Sequence, residues 1–459
     1  MSAASLLPAD PALPQLAQAL DERCMAGVFN EATRAHGLQV KACHLDRVKY
    51  RPHRNCTLSY QLKLSQDGGP VFEQRVAARL CSGGESERRH VQALRNPMCA
   101  SPAGPMLARL PALDMLTWWW PNDAKLQAPQ VLVDAQRMRT QVLPAVLAAL
   151  HRGANELLGH EVDVVQYVPE SRLTARVSLQ WRADGEPRHT VLFAKASLEP
   201  DGQSVHATLR ELGHSPAALA GVLRTPRALL WQPEFGLHWQ TELPGSPLGE
   251  RSPEDIARLA PALGAQLAAL HGSPLGSGVP VQVDAMHARL LEVSRVLTLA
   301  LPQHERALKQ LAGRLMLGLH WLQGVAPVTL HGDLHPRNIL VDAADDDALS
   351  LIDLDGAQRG PAVMEFGAWI AEGMYRALLD GAPAHRDAPS WRAMLHGYVS
   401  EGGAALFEPA LAWSAAWHLM VDRIWRSVVN LKPGRLANVP QLIALADLLA
   451  DAPDLDLRP

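Results

Sequence analysis

Val328-Thr329-Leu330-His331-Gly332-Asp333-Leu334-His335-Pro336-Arg337-Asn338-Ile339-Leu340-Val341-Asp342 decides how the rest of the chain is read. Two apolar runs flank a polar loop. After an acidic turn at Asp345, Asp346 and Asp347, a further run, Leu349-Ser350-Leu351-Ile352, ends in Asp353-Leu354-Asp355-Gly356. The pattern predicts strand, loop, strand, hairpin turn, strand and acidic tip. Asp333 then lies in a loop held between elements, Asn338 follows five residues later, and Asp353 ends the next strand. A carboxylate so placed can orient and deprotonate a hydroxyl. An amide oxygen and a second carboxylate are hard oxygen donors suited to Mg²⁺. Phosphoryl transfer from a nucleotide needs these parts.

His331-Gly332-Asp333-Leu334-His335-Pro336-x-Asn338-Ile339-Leu340, followed by Leu351-Ile352-Asp353-x-Asp355, resembles the aminoglycoside phosphotransferase family. These are small-molecule kinases with a protein-kinase-like fold; the protein-kinase H-R-D pattern with its following Asn is a more distant relative. The resemblance runs from about Gly159 to the C-terminus. It implies transfer of the γ-phosphate of ATP, or of GTP, to a hydroxyl of a small acceptor: aminoglycoside-like, a sugar or an amino alcohol. Asp333 would be the catalytic residue, and Asn338 and Asp353 would hold Mg²⁺. Two departures stand out. Arg337 occupies a place where the family often has Gly, and Glu365, after Gly360-Pro361, stands near a place where it often has Asp. Glu365 is expected to act as a structural acceptor. His331, Asp333 and His335 could also be read as a zinc cluster, but Gly332 and Pro336 oppose the continuous helix of an H-E-x-x-H site. His331 is expected to brace the loop, and His335 either to touch substrate or to cap a turn.

The 459 residues are 47% apolar and carry a formal net charge of −4, enough for substantial cores and no pointer to nucleic acid or an anionic membrane. No run of eighteen apolar residues offers a membrane span, and Met1 to Pro8 lacks the pattern of a secretion signal. The cysteines, Cys24, Cys43, Cys56, Cys81 and Cys99, are odd in number and without C-x-x-C spacing. Reduced thiols in the cytoplasm are the expected state. No protein partner is legible.

Two segments repeat one order of elements. Val48-Lys49-Tyr50, the turn Arg51-Pro52-His53-Arg54-Asn55, a strand from Cys56 to Leu64, a third around Phe72 to Leu80 and a helix over Glu85 to Leu94 form the first. Val164 to Tyr167, the turn Val168-Pro169-Glu170-Ser171-Arg172, a strand from Leu173 to Trp181, a third through Val191 to Ala196 and a helix over Ser204 to Leu212 form the second. Tyr50-x-Pro52 matches Tyr167-x-Pro169, and Leu116 to Pro121 matches Leu237 to Pro244. This points to internal duplication of a small sheet-plus-helix lobe. The expected fold is therefore α+β, a protein-kinase-like two-lobe fold with an additional, degenerate N-terminal copy of the small lobe. Its domains are 1–158 (degenerate copy), 159–243 (nucleotide-binding lobe) and 244–459 (helical catalytic and acceptor-binding lobe).

Lys195 on the third strand of the second copy occupies the place of the lysine that pairs with nucleotide phosphates in kinases; the first copy has Arg79 there. Glu211 is a weak candidate for the partner of Lys195. The turn at 168–172 stands where a phosphate-covering loop would be, yet it contains no glycine. Glu242-Leu243-Pro244-Gly245 reads as the hinge, with the backbone of Glu242 and Leu243 bonding the nucleotide base. One helix is expected over Pro14 to Gly37, another over Pro253 to Gly272 with Ser252 as N-cap, and a long one over Phe407 to Asn430. Aminoglycosides call for an acidic pocket, for which Glu365, Glu372, Asp380 and Glu401 are candidates. The degenerate copy and the glycine-free turn leave a second reading, a non-catalytic kinase-like binding or regulatory module.

Overall fold

The computed structural model describes residues 9–66, 68–183, 186–198, 201–276, 280–345, 347–452 and 454–455. The readings made at Met1 to Pro8, Asp67, Asp184, Gly185, Asp346 and residues 277–279 lie outside these. The chain is mixed α/β and divides into two compact units. One comprises Met1–Gln203, Leu229–Gln240 and Val429–Pro433; the other comprises Ser204–Ala228, Thr241–Val428 and Gly434–Pro459.

The first unit holds two five-stranded sheets of the same topology. Strands β1 (Leu38–Arg51), β2 (Asn55–Gln66), β3 (Phe72–Leu80), β4 (Leu107–Leu110) and β5 (Met115–Trp119) run in the order β1-β2-β3-β5-β4. Strands β6 (Leu157–Val168), β7 (Arg172–Ala183), β8 (Glu186–Ser197), β9 (Ala228–Gln232) and β10 (Leu237–Thr241) run in the order β6-β7-β8-β10-β9. The long strands pair antiparallel, and register matches as well as order: Thr57 faces Arg79 across β2 and β3, and Thr174 faces Lys195 across β7 and β8. Alternation explains the pairing, because Leu173, Ala175, Val177 and Leu179 all turn into the core while their neighbours do not. Both sheets contribute to one apolar core. Trp118 and Leu116 come from the first, Tyr167, Leu192 and Trp239 from the second, and Leu126 to Leu147 fill the space from the connecting segment.

The expected helix over Pro14 to Gly37 is broken. A short turn, Leu16–Ala19, precedes Glu22–Thr33, because Asp21 adopts extended backbone and its carboxylate accepts from the Arg23 and Cys24 amides as an N-cap.

The second unit is mainly helical. Helix Pro253–His271 begins at Ser252, whose hydroxyl accepts from the Asp255 amide, and packs on helix Ala388–Ser400. The long C-terminal helix is interrupted: Glu408–His418 passes through a π-helical turn, Leu419–Ile424, into Trp425–Val429. Five short strands support the loops between. Strands β11 (Ser246–Pro247), β13 (Ile339–Asp342) and β14 (Ala348–Leu351) form one small sheet, and β12 (Val328–Leu330) pairs with β15 (Gln358–Gly360). Gly245 enters β11 at φ 112°, where a Cβ would stand 2.6 Å from the Val341 carbonyl oxygen, so this turn demands glycine.

Candidate active site

The loop between β12 and β13 carries Asp333 and is held from three sides. Glu365, fully buried on helix Ala362–Leu379, accepts from the His331 amide and, at 3.3 Å, from the Gly332 amide. It is the structural acceptor expected of it. Burial pushes its carboxyl upward, but the approach of His271 and the His331 amide outweigh this and hold it below the usual carboxylate range. His331 Nε2 meets the Ile352 carbonyl oxygen at 2.9 Å, while Nδ1 accepts from the Asp333 amide at 3.4 Å. That pairing puts the proton on Nε2 and spends both ring nitrogens inside the loop. Gly332, at φ 79°, lets the loop pass against Gly356: a Cβ would stand 2.0 Å from the Gly356 carbonyl oxygen.

Asn338 donates its side-chain amide to the Asp333 carbonyl oxygen at 3.0 Å, which leaves the amide oxygen as a donor to a cation. The antiparallel hairpin pairs Ile339 with Leu351, and the Ile352 amide bonds the Asn338 carbonyl oxygen at 2.9 Å. Asn338 and Asp353 therefore emerge side by side at one end of the hairpin. Asp353 has left-handed backbone, φ 61°, as it turns into Leu354–Gly356. Strain at a non-glycine residue persists where its surroundings over-determine it, as at functional sites. An amide oxygen and a carboxylate brought together in this way fit a hard divalent cation. No group of three His, Cys, Asp or Glu side chains among the described residues could hold a metal, so the zinc reading has no geometric support.

A guanidinium and an imidazole stand beside Asp333. Arg426 Nη2 lies 3.5 Å from Asp333 Oδ1, and His335 Nε2 lies 3.8 Å from Oδ2. Burial lowers the pKa of His335 more than Asp333 raises it, which favours the neutral ring. Beside His335, Arg423 pairs with Glu372 at 3.0 Å, both nearly buried. Two cavities open in this unit. One, of about 250 Å³, is lined by Gly332, Gln358, Glu365, Arg289 and His418 among others. The other, of about 540 Å³, is lined by Pro336, Glu372, Arg376, Asp387 and Trp391 among others.

The remaining expected site residues are placed as follows. Lys195 lies on β8 in the first unit, on the strand facing Thr174. Glu242 and Leu243 follow β10 and lead into Gly245 and β11 in the second unit. Glu211 accepts from the Gly276 amide at 2.7 Å. Asp333, Asn338 and Asp353 are brought together. Arg426 and Arg423 were missed by sequence reasoning, since nothing in an isolated helix pattern marks which arginine meets a loop some ninety positions earlier.

A family model described as phosphotransferase enzyme family matches residues 181–396, from within β7 to helix Ala388–Ser400. The match spans Lys195, the Asp333 loop and the Asp353 turn, and it supports an enzyme of the small-molecule kinase kind. No curated protein matches the chain. Solved structures overlap it loosely. One is a thermostable mutant of the aminoglycoside phosphotransferase APH(4)-Ia with ADP and hygromycin B, at 14% identity over 68% of this chain and 98% of that one, TM-score 0.46. Another is a choline/ethanolamine kinase family protein from Mesorhizobium loti, at 18% identity over 69% and 96%, TM-score 0.45. Scores this low add no weight to the family match. No described helix is long and apolar enough to cross a membrane.

Proposed function

We propose that the protein is an ATP-dependent phosphotransferase acting on a hydroxyl of a small molecule, built as a kinase-like two-lobe enzyme with a second, degenerate small lobe. The observation that carries this reading is the Asp333 loop: Asn338 bonded to the Asp333 carbonyl oxygen and set beside Asp353 by the hairpin, within the family-matched stretch. Asp333 orients the acceptor hydroxyl and takes its proton. The hydroxyl oxygen forms a bond to the γ-phosphorus as the bond to the leaving nucleoside diphosphate breaks. Asn338 and Asp353 would hold Mg²⁺, which neutralises phosphate charge when bound. Lys195 pairs with phosphate oxygens, and the backbone at Glu242 and Leu243 receives the base. His331 and Glu365 keep Asp333 in place, so the transition state meets a preorganised carboxylate.

Calorimetric titration with ATP, with and without Mg²⁺, tests the reading on the wild type and Asp353→Ala. Metal-dependent binding is expected in the wild type and its loss in the variant. Well-folded wild-type protein that binds neither ATP nor GTP would favour a non-catalytic module.

A further inference from the structure

Most of the acidic residues that could receive a cationic acceptor are already engaged. Glu365 accepts from two loop amides. Glu372 is paired with Arg423, Asp380 and Asp387 are paired with Arg386, and Asp422 contacts His418 at 2.6 Å. Glu365 is the single carboxylate lining the smaller cavity, and Glu372, Asp380 and Asp387 line the larger one with Glu254. Positive charge is placed differently. Arg289 lines the smaller cavity and lays its guanidinium 4.5 Å from the Trp425 ring centre, and the next residue, Arg426, reaches Asp333. Positive charge thus stands at the cavity wall, on Arg289, and beside the carboxylate that would receive the acceptor proton, on Arg426. The same cavity is lined on its other sides by Leu330, Met286, Met364 and Val421, an apolar surface for one face of a ring. Its volume of about 250 Å³ is at the small end of ligand pockets.

On the strength of the kinase reading, we infer that the acceptor is a small hydroxyl compound bearing an anionic group, received by Arg426 with Arg289 behind it, and not a polyamine-like sugar. Arginine recognises carboxylate and phosphate alike through its planar fork. An ammonium group beside Arg426 would meet its guanidinium, with Arg289 in the nearby cavity wall, while Glu365 of that wall is committed to loop amides. Arg426 is in this account a specificity-determining residue.

A matched series of probes tests this. Glucose, glucosamine, glucuronate and glucose 6-phosphate offer the same ring with neutral, cationic, carboxylate and phosphate character. Phosphoryl transfer from ATP is measured for each with wild type, Arg426→Gln and Arg426→Lys. The wild type is expected to prefer an anionic member, the two anionic arms telling carboxylate from phosphate. Arg426→Gln should raise KM for that member by about 10- to 100-fold and narrow the gap to glucose, with partial recovery in Arg426→Lys. Preference for glucose or glucosamine, or no use of either anionic member by protein that still binds ATP with Mg²⁺, overturns the inference and leaves the kinase reading standing. Equal loss of kcat on every acceptor overturns it too, because it would put Arg426 at the transferring phosphate. Absence of nucleotide binding in the wild type overturns both.

Discussion

The two five-stranded sheets of the first unit share strand order and register, and they share one local device. In the first, Asp10 accepts from the Tyr50 hydroxyl at 2.8 Å and from the His53 amide at 2.8 Å. In the second, Asp123 accepts from the Tyr167 hydroxyl at 2.5 Å and from the Glu170 amide at 2.9 Å. His53 and Glu170 each stand three residues after their tyrosine, and both have φ 59°. A carboxylate that clamps a tyrosine and a left-handed turn residue in both sheets is hard to reach twice by convergence, and it supports duplication of the lobe. The sheets differ at the strand residue opposite threonine. Lys195 holds that place in the second. In the first it is Arg79, which forms a two-pronged ion pair with Glu170, its Nε 2.8 Å from Oε1. Burial pushes the Glu170 carboxyl above its ordinary value while Arg79 pulls it down. At this position the first sheet thus carries a latch on the turn of the second. It also accounts for the glycine-free turn at 168–172: its central residue serves the latch.

The sharpest way to break the comparison is to delete each charge. Lys195→Ala is expected to lower kcat/KM for the nucleotide reaction by about 100- to 1,000-fold, the range for losing one preorganised charge contact to the reacting phosphates, with little change in melting temperature. Arg79→Ala should do the reverse. It leaves the buried Glu170 carboxylate with Lys125 Nζ at 3.8 Å as its remaining cationic neighbour and is expected to cost about 3 kcal/mol of stability, read by urea unfolding, while protein that remains folded keeps its nucleotide affinity. If Arg79→Ala abolished nucleotide binding in folded protein and Lys195→Ala did not, the roles assigned to the two sheets would be exchanged.

Much of this arrangement was legible before the structure. Strand alternation, the Tyr-x-Pro repeat and the Asp333 and Asp353 motifs are local patterns, and the strands, the hairpin and the Ser252-capped helix stand where those patterns placed them. Contacts between distant segments were not legible. Asp10 and Asp123 sit in loops some forty positions before their tyrosines, and no period links them. The four acids considered for a cationic acceptor read alike in sequence. In the fold, Glu365 serves backbone amides, Glu372 and Asp380 serve arginines, and Glu401 caps the end of helix Ala388–Ser400 in the exposed surface. Helix Pro14 to Gly37 was misread for a related reason. Helical periodicity continues across Asp21, and its capping geometry outweighs that periodicity.

The smallest expected effect sharpens the comparison most, because it sets equal structures against unequal duties. Asp10→Ala and Asp123→Ala each remove a carboxylate that accepts from a tyrosine hydroxyl and a turn amide, and each should cost about 1–3 kcal/mol. Asp123 also accepts from the Lys125 and Leu126 amides, at 2.7 and 2.8 Å, where Asp10 accepts from Ala12 at 2.9 Å, so its loss belongs at the upper end. Beyond stability the pair should part. Loss of Asp123 frees the Glu170 amide and loosens a turn that borders the sheet of Lys195, so nucleotide affinity should fall a few-fold. Loss of Asp10 loosens the corresponding turn in a sheet whose arginine is committed to Glu170, and nucleotide affinity should hold. Calorimetric titration of both variants at a temperature where each is folded reads this directly. Equal losses of affinity would mean that the first sheet still takes part in nucleotide binding, and that the latch at Arg79 marks a partner lobe and not a retired one.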